Sequence, residues 1–573
     1  MTEDHLLKNA RVYDPIHEID GELMDICISE GKIVEKVSES AQVIDVKKRA
    51  VLPGGVDMHA HIIGSKLGMG RMMCPEDHRG LSIPRTRGTR SGVGTTMPSS
   101  YVTGYLYSAM GYTTVVEPAL PALKALGAWE ELVDIPNLDL AMLPMFCNSV
   151  ITFHYIKEQD LEGLKGYIAW LLKSTGGWGV KIVNPGGTYA WAHGRNIRRI
   201  NTPVPDWDIT PREIIRGLCQ AVESLGLPHT IHLHPNNLGR VGNVETTIET
   251  LDALRDIRGF GKRKAVAHLA HMSFDCLGMV EGGVPEWKDV ASGGLRFADY
   301  FKKNTHFTVD LGQITFGPAT TMTGDGPFQF ALHKMTGAKW ANLSVDAELP
   351  GGAGIVPYTY DPKSPANTIQ WATPLEFALN VDDLWRVVMT TDHPNGGPFT
   401  KYPLVLSWLM SKKQRTEWLE KVHPIVHERS HLSEIDREWS IYEVAISTRA
   451  APSKILGLEK DKGNLGVGAD ADICVLDSDP TKINLADNPQ KIISLFENSY
   501  LTIKNGLVVA KEGTIEKTQN GRVWSVSPSV EKSLAARVTQ ELQGLFKRWY
   551  THSFNNYPVP ERYRRPYEHV ISI

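Results

Sequence analysis

Two histidines stand one residue apart, at positions 59 and 61, in the stretch "GGVDMHAHIIG". They follow a short apolar run that ends in Pro-Gly-Gly. In a β-strand the side chains alternate between two faces, so His59 and His61 point the same way with their Cα atoms about 6–7 Å apart. Two imidazoles aimed at one point can chelate a metal, but such a pair also arises by chance. The interpretation therefore depends on whether the rest of the chain supplies partners.

Other polar residues interrupt apolar, strand-like segments farther along the chain. They are Lys181 in "WGVKIVNPG", His232 and His234 in "HTIHLHP", His268 and His271 in "KAVAHLAH", and Asp392 at the end of "WRVVMTTD". Imidazole nitrogens and carboxylates are good zinc ligands, and a catalytic zinc site leaves a position open for water. Each of these residues alone is more typical of a packed core. Together they have the ligand types of a metal centre.

Lys181 is the unusual member of this set, because a lysine inside an apolar strand loses hydration unless it is neutralised or paired. Its ammonium would repel a metal ion. A deprotonated Lys181 that adds CO₂ becomes a carbamate, whose two oxygens can bridge metals about 3.5–4 Å apart, the spacing of two-metal hydrolytic sites. Two Zn²⁺ ions balanced by the carbamate, Asp392 and a hydroxide would leave a net charge of about +1, which suits an oxyanion developing on an attacked carbonyl.

The elements that carry these residues alternate between buried strands and helix-length segments. Eight strands are predicted: "GGVDMHAH", "YTTVVEPAL", "DLAMLPMFC", "WGVKIVNPG", "HTIHLHP", "KAVAHLAH", "HFTVDLGQ" and "WRVVMTTD". The segment Thr210–Gly226 has apolar residues at helical spacing behind a Thr-Pro start. Near-continuous apolar strands are typical of a parallel sheet that is covered on both faces. We predict an α/β fold, a (β/α)8 TIM barrel whose active site lies at the carboxyl ends of its strands. A doubly wound sheet is the alternative.

Both ends of the chain have short alternating segments with turn signals, such as Gly31 and Asn505-Gly506. We expect them to pair into one small β-sandwich. The predicted domains are residues 1–52 and 451–525 for the two parts of the sandwich, 53–450 for the barrel, and 526–573 for a C-terminal helix and extended tail. Ser527 and Pro528 are predicted to start that helix. The Tyr- and Arg-rich tail is predicted either to lie over its own domain or to dock on another subunit.

Bulk composition narrows the classes of function. The 573 residues carry a net charge of −4, which gives no electrostatic reason to expect nucleic acid or an anionic membrane as the main partner. No apolar run approaches the roughly 20 residues of a membrane span, and the N-terminal segment lacks the pattern of a secretory signal. Six scattered cysteines without a C-x-x-C pair suit a reducing cytoplasm and offer no iron–sulfur framework. We therefore expect a cytoplasmic protein.

Several long stretches resemble the amidohydrolase superfamily and, within it, the family of formylmethanofuran dehydrogenase A subunits. They are "GGVDMHAHIIGSKLGMGRMMCPEDHRG", "VTGYLYSAMGYTTVVEPALP", "GVKIVNPGG", "IHLHPNNLG" and "MTTDHPNGGPF". The resemblance implies two zinc ions bridged by carboxylated Lys181. It implies that His59 and His61 bind the first metal, that histidines of strands five and six bind the second, and that Asp392 acts as ligand and proton shuttle. His232 and His271 are the choices for strands five and six, and His234 and His268 remain the alternatives.

The implied reaction is N-formylmethanofuran + H₂O ⇌ formate + methanofuran, in CO₂ fixation or methanogenesis. The resemblance also implies partner subunits that carry a tungsten- or molybdenum-pterin and iron–sulfur clusters. Lys66, five residues after His61, is predicted either to bind and steer formate or to be a solvated loop lysine. The alternatives for the whole chain are a stand-alone amidohydrolase for another N-acyl or cyclic amide, and a metal-free scaffold subunit.

Overall fold

Eight parallel strands surround the centre of the molecule in the computed structural model, which describes residues 4–79, 81–345 and 351–573. We label them β1 to β8 in chain order: Gly55–Asp57, Tyr112–Leu120, Asp139–Pro144, Lys181–Val183, Ile231–His234, Ala267–Leu269, Phe307–Asp310 and Val387–Val388. Each lies within one of the eight predicted segments. Their residues are almost all buried on both faces, which explains why the segments read as continuous apolar runs.

The eight strands form two sheets in the described residues, not one continuous closed ladder. One sheet contains β1, β2 and β3, and the other contains β4 to β8, with every neighbouring pair of these strands parallel. Single-residue parallel bridges join the two sheets, between Ala60 and His393 at one seam and between Met145 and Lys181 at the other. The carboxyl ends of all eight strands therefore face a common centre.

Helices connect and cover the strands. The α-helices of the described residues are Ser65–Met73, Ser100–Ala109, Ala125–Leu132, Val150–Lys157, Leu161–Thr175, Gly187–Ala192, Pro211–Leu225, Val244–Asp252, Met272–Asp275, Gly294–Lys303, Gly326–Thr336, Pro365–Asn380, Tyr402–Met410, Lys412–Leu419, Val426–Arg429, Ile441–Ala445, Ala451–Leu456, Pro489–Glu497, Lys532–Trp549 and Glu561–Arg564. The helix predicted after Thr210 begins as expected, because Thr210 and Glu213 form a reciprocal capping box and Pro211 is the first helical residue.

An insertion between β7 and β8 covers the carboxyl end of the strands. It consists of three antiparallel strands, Gly317–Thr323, Ala341–Ser344 and Gly352–Tyr360, with the helix Gly326–Thr336 against them. Smaller two-stranded hairpins join 82–83 to 92–93 and 277–279 to 290–292. The insertion therefore separates the centre of the strands from solvent on the side where the candidate residues lie.

The two ends of the chain meet in one nine-stranded sheet. Its N-terminal strands are His5–Asp14, Ile19–Ser29, Lys32–Val34, Gln42–Asp45 and Ala50–Pro53, and its C-terminal strands are Ile473–Val475, Leu501–Lys504, Leu507–Lys511 and Thr514–Ile515. The two groups join where Val51–Pro53 pairs with Ile473–Val475. The predicted pairing of the termini is thus present in the structure, whereas a second layer that would make the sheet a sandwich stays a prediction.

The C-terminal segment lies over its own domain. Strand Glu568–Ser572 pairs with strand Val523–Ser527, which extends the sheet of β3. Ser527 is a strand residue and the helix begins at Lys532, so the predicted helix start at Ser527 is wrong. Val559 is buried and its N–H donates to the Ser174 carbonyl at 2.8 Å. Among the described helices, none is long and apolar enough to cross a membrane.

A buried ion network joins the nine-stranded sheet to the first residue of β3. Asp139 pairs with Lys462, with Lys504 at 2.9 Å and with Arg522 at 3.0 Å. Lys462 also lies 2.8 Å from Asp470 and 2.6 Å from Asp472. Lys32 also pairs with Asp470, at 2.8 Å. Three acids and four bases therefore meet here, and the Lys462 side chain among them is 1% exposed. The network fixes the N-terminal end of the strands, which is the end away from the candidate site.

Lys462→Met is expected to lower the free energy of unfolding by roughly 3–5 kcal/mol, because it leaves buried carboxylates with one positive charge fewer. The matched control is Lys482→Met, whose side chain is 79% exposed, and its effect should stay within about 0.5 kcal/mol. Guanidinium-induced unfolding of both variants measures the difference. Equal stability of the two variants would contradict a structural role of the network.

Candidate metal centre

The candidate residues lie at the carboxyl ends of the strands, around one small cavity. The cavity measures about 60 Å³, and its wall contains His59, His61, Lys66, Lys181, His234, His271 and Asp392, with residues of the insertion such as Met322, Phe328 and Leu343 as its roof. All seven side chains are buried. Lys181 and His234 lie within β4 and β5, Lys66 lies in the helix Ser65–Met73, and the others follow β1, β6 and β8. The structure therefore brings together residues that are far apart in the sequence.

Asp392 lies between the two histidines of the H-x-H motif. Its Oδ1 is 3.1 Å from His59 Nε2 and 3.3 Å from His61 Nε2. Burial alone would raise the pKa of Asp392, but the nearby positive charges of His59 and His271 outweigh it and hold the pKa well below its usual range. The aspartate is therefore ionised at neutral pH. Two imidazole nitrogens and one carboxylate oxygen converge closely enough to hold one metal ion.

Three of the histidines each lie against a separate buried carboxylate through the ring nitrogen that faces away from the centre. The pairs are His59 Nδ1 with Asp310 Oδ2 at 3.0 Å, His61 Nδ1 with Glu117 Oε1 at 2.8 Å, and His271 Nδ1 with Asp275 Oδ2 at 3.0 Å. Metal-binding histidines commonly donate their second N–H to a carboxylate, which fixes the ring and raises its basicity. In each pair the Nε2 atom stays available for a metal.

Lys181 and His234 show whether the cavity wall suits a metal ion. Within the described residues, Lys181 Nζ and His234 Nε2 are buried and have no hydrogen-bond partner. Burial lowers the pKa of Lys181 to about 8, although Asp392 and Asp310 oppose that shift. Burial and the neighbouring His271 lower the pKa of His234 well below its usual value, so this imidazole is neutral. An unpaired neutral imidazole and a readily deprotonated amine in a cavity wall suit a metal site with a carbamate.

Strand β5 presents its two histidines at different depths. His234 reaches the cavity wall, whereas His232 lies about 6–7 Å lower along the strand, with Nε2 3.0 Å from His59 Nδ1. His232 also converges with His59 and Asp310 closely enough to hold a metal ion, but below the cavity. The choice of His232 as a ligand stays a prediction, and the cavity wall favours the alternative, His234. On β6 the preferred His271 reaches the cavity, and His268 packs below it against Asp310 and Thr308.

Glu117, Asp310 and Asp275 were not identified from the sequence. A usable signal was present for the first two, because each is an acid inside an apolar strand, in "YTTVVEPAL" and "HFTVDLGQ". That is the same anomaly that singled out Lys181. Asp275 follows His271 by one helical turn in the helix Met272–Asp275, and its pKa is raised to about 6 by burial.

Lys66 is a buried lysine with several partners, not a solvated loop lysine. It is 9% exposed, and its Nζ donates to Glu117 Oε1 at 2.5 Å and to the Ala119 carbonyl at 2.6 Å, and lies 2.7 Å from His61 Nδ1. Burial raises the pKa of Glu117, but Lys66 and His61 outweigh it and bring the pKa to about 2. These contacts favour a role in holding Glu117 and His61 in place. Formate steering by Lys66 stays a prediction.

Comparison with known proteins agrees with this geometry. The model of the amidohydrolase family matches residues 42–510. The chain belongs to the amidohydrolase family. It is similar over its whole length to Protein FwdA of Methanocaldococcus jannaschii, with 45% identity covering 100% of this chain and 99% of that protein. It is also similar to the A component of the formyltransferase/hydrolase complex Fhc of Methylorubrum extorquens, with 33% identity covering 94% of each chain.

A solved structure extends this similarity to the fold. The crystal structure of the formyltransferase/hydrolase complex FhcABCD from Methylorubrum extorquens, in complex with methylofuran, contains a chain with a TM-score of 0.88 and 30% identity. The match covers 99% of this amidohydrolase chain and 99% of that chain. The whole α/β architecture, including the terminal sheet and the tail, is therefore shared with one component of a multi-subunit complex.

Lys66→Met is expected to weaken the binding of added Zn²⁺ roughly tenfold, because losing a contact that holds a metal-binding histidine typically costs 10–100-fold in metal affinity. Chelator competition measures the affinity, and Lys124→Met, an exposed lysine near the cavity, is the control. If Lys66 acted only by steering formate, the variant would keep its zinc affinity and raise the KM for formate. That result would contradict the positioning role.

Proposed function

We propose that this chain is the hydrolase subunit that interconverts N-formylmethanofuran and water with formate and methanofuran. The observation that carries the proposal is the full-length match to one component of a formyltransferase/hydrolase complex whose structure contains methylofuran. The buried His, Lys and Asp set of the cavity supports it, because these residue types suit hydrolysis of an amide. The chain would work within a multi-subunit complex.

We further propose that the centre holds two zinc ions bridged by carboxylated Lys181. His59, His61, His234, His271 and Asp392 would be the other protein ligands. His234 replaces His232 in this proposal because only His234 contacts the cavity among the described histidines of β5. Bound zinc would polarise the formyl oxygen and lower the pKa of a water molecule. We also infer that the eight strands act as one (β/α)8 barrel that supports this centre.

Asp392 is proposed to move the proton of the reaction. In hydrolysis a C–O bond to the attacking water forms and the C–N bond of the formamide breaks, so one proton must pass from the water to the leaving nitrogen. Asp392 is ionised and can accept that proton before it passes it on. Asn395 donates to Asp392 Oδ1 at 3.0 Å and orients the carboxylate. The apolar walls, such as Leu120, Met145 and Phe274, exclude other water.

The same proposal implies a direction for the reaction in the cell and a set of partner subunits. In a CO₂-fixing organism the chain would condense formate with the primary amine of methanofuran. Formate would come from a partner subunit with a tungsten- or molybdenum-pterin and iron–sulfur clusters. The six cysteines of this chain are unclustered, so it would supply none of that redox chemistry itself.

Asp392→Asn tests both the activity and the role of the carboxylate. The purified wild-type complex should release formate from N-formylmethanofuran, and the variant should lose about 10²–10⁴-fold in kcat because the amide cannot accept the proton. Asp382→Asn, the same change at a side chain that is 96% exposed, is the control.

Wild-type protein that binds zinc but releases no formate would overturn the proposed reaction. Near-normal turnover by the zinc-loaded Asp392→Asn variant would overturn only the proton-transfer role.

Carboxylation of Lys181 should depend on pH in a way set by its lowered pKa. Only the neutral amine reacts with CO₂, so at constant dissolved CO₂ the initial rate of carbamate formation in the metal-free protein should increase as pH rises, with a midpoint near the pKa of about 8. An ordinary lysine would give a midpoint above about 10. Carbon-13 NMR with labelled CO₂ measures the carbamate, and Lys181→Met identifies its signal. A midpoint above about pH 10, or a signal that survives in the variant, would contradict the assignment.

A further inference from the structure

A line of buried histidines runs from His59 away from the cavity and ends on a backbone carbonyl. His59 Nδ1 lies 3.0 Å from His232 Nε2, and His232 Nδ1 lies 3.2 Å from His229 Nε2. His229 Nδ1 lies 2.9 Å from the carbonyl of Ile455, in the helix Ala451–Leu456. His229 and His232 are completely buried, and neither is part of the described cavity wall. The proposed reaction gives these two residues no role.

The acceptors at the two ends of the line determine where its protons sit. A carbonyl only accepts, so His229 Nδ1 must carry a proton, and burial lowers the pKa of His229 to about 3, which leaves that ring neutral. The Nε2 atom of His229 is then an acceptor, and His232 Nδ1 must donate to it. The other end of the line is set by Asp310, whose carboxylate Oδ2 lies 3.0 Å from His59 Nδ1 and only accepts. His59 Nδ1 therefore carries a proton, and His232 Nε2, 3.0 Å away, is an acceptor. The nitrogen of His59 that can bind a metal ion is then Nε2, which faces Asp392 and the cavity.

Asp310 reinforces the same arrangement from the other side. Its Oδ2 lies 3.0 Å from His59 Nδ1 and 3.1 Å from His268 Nε2. The N–H of His59 therefore faces two acceptors, Asp310 Oδ2 and His232 Nε2. Its Oδ1 accepts from the Thr390 hydroxyl at 2.6 Å and from the N–H of His271 at 3.0 Å. Four donors from three strand ends therefore fix this carboxylate.

We infer that Ile455 O, His229 and His232 form a relay that, with Asp310, fixes the tautomer of His59 so that its Nε2 lone pair points at the metal centre. These are positioning residues, since they act through His59 and do not reach the cavity. The opposite tautomer would direct an N–H at the metal and remove one ligand. The inference rests on the proposed metal centre, and it assigns a function to two histidines that the reaction leaves unexplained.

Neutron diffraction of the deuterium-exchanged full chain in its complex tests the relay directly. We expect deuterium on Nδ1 of His229, His232 and His59, and none on Nε2 of His232. Deuterium on Nε2 of His232 would overturn the inference. This measurement does not depend on the reaction that the protein catalyses, so it separates a failure of the relay from a failure of the proposed function.

Zinc affinity of relay variants, measured by chelator competition, provides a second test. His232→Phe should bind zinc about 10–100-fold more weakly, and His229→Phe should shift in the same direction by less. His229→Gln should recover most of the affinity, because its amide oxygen can replace the Nε2 acceptor. The control is His306→Phe, which removes a histidine that also bonds a carbonyl, that of Leu251, outside the relay.

Three results would count against the relay. Wild-type affinity in His232→Phe would show that His59 needs no partner at Nδ1. Equal losses in His229→Phe and His306→Phe would indicate general destabilisation, and equal losses in His229→Phe and His229→Gln would show that the acceptor does not matter. Thermal unfolding of each variant verifies that it folds. If His232→Phe does not fold, the neutron structure of the wild type decides whether the relay exists.

Discussion

The pairing of buried charges at the carboxyl ends of the strands is the constraint on which the candidate site depends. A carboxylate taken out of water is strongly unfavourable unless donors or cations surround it. Here each has partners: Asp392 lies between His59 and His61, Glu117 is paired with Lys66, and Asp310 accepts four hydrogen bonds. Because each carboxylate is stable only with its partners, the carboxylates hold the neighbouring histidine and lysine side chains in place. The imidazole rings therefore keep one orientation before a metal ion binds.

The two ends of the strands have different tasks. At the amino ends, Asp139 and its lysine and arginine partners satisfy one another and tie the terminal sheet to β3. At the carboxyl ends, Lys181 Nζ and His234 Nε2 have no partner among the described residues. Buried polar atoms are normally paired, so unpaired ones at the cavity indicate that a ligand binds there. The relay from Ile455 to His59 connects the two ends.

Sequence patterns predicted much of this arrangement, and their failures have a common physical origin. Near-continuous apolar runs identified the strands, and alternation placed His59 and His61 on one face. Lys181 and Asp392 stood out as polar residues within or at the end of such runs. Neither pattern determines depth along a strand. The resemblance led to the choice of His232 with His234 as the alternative, whereas only His234 reaches the cavity. The strand at Ser527 was missed because its partner, Ser572, lies 45 residues away and local helix signals are strong there. Pairing over such distances leaves no trace in local composition.

Backbone conformation at the strand ends explains how so many side chains reach one point. Asn184, His271 and Asp392 follow β4, β6 and β8 with φ values of 43°, 35° and 49°, in the left-handed region that residues other than glycine rarely adopt. Each such residue costs on the order of 1–3 kcal/mol and persists only where its surroundings enforce it. The N–H of His271 is held by Asp310, and the carbonyl of Asp392 accepts from the N–H of Asn395 at 2.6 Å. At His271 and Asp392 the left-handed turn redirects the chain just past the sheet, and the side chains of both residues line the cavity. The hydrogen bonds that orient the ligands thus also hold the unfavourable backbone that presents them.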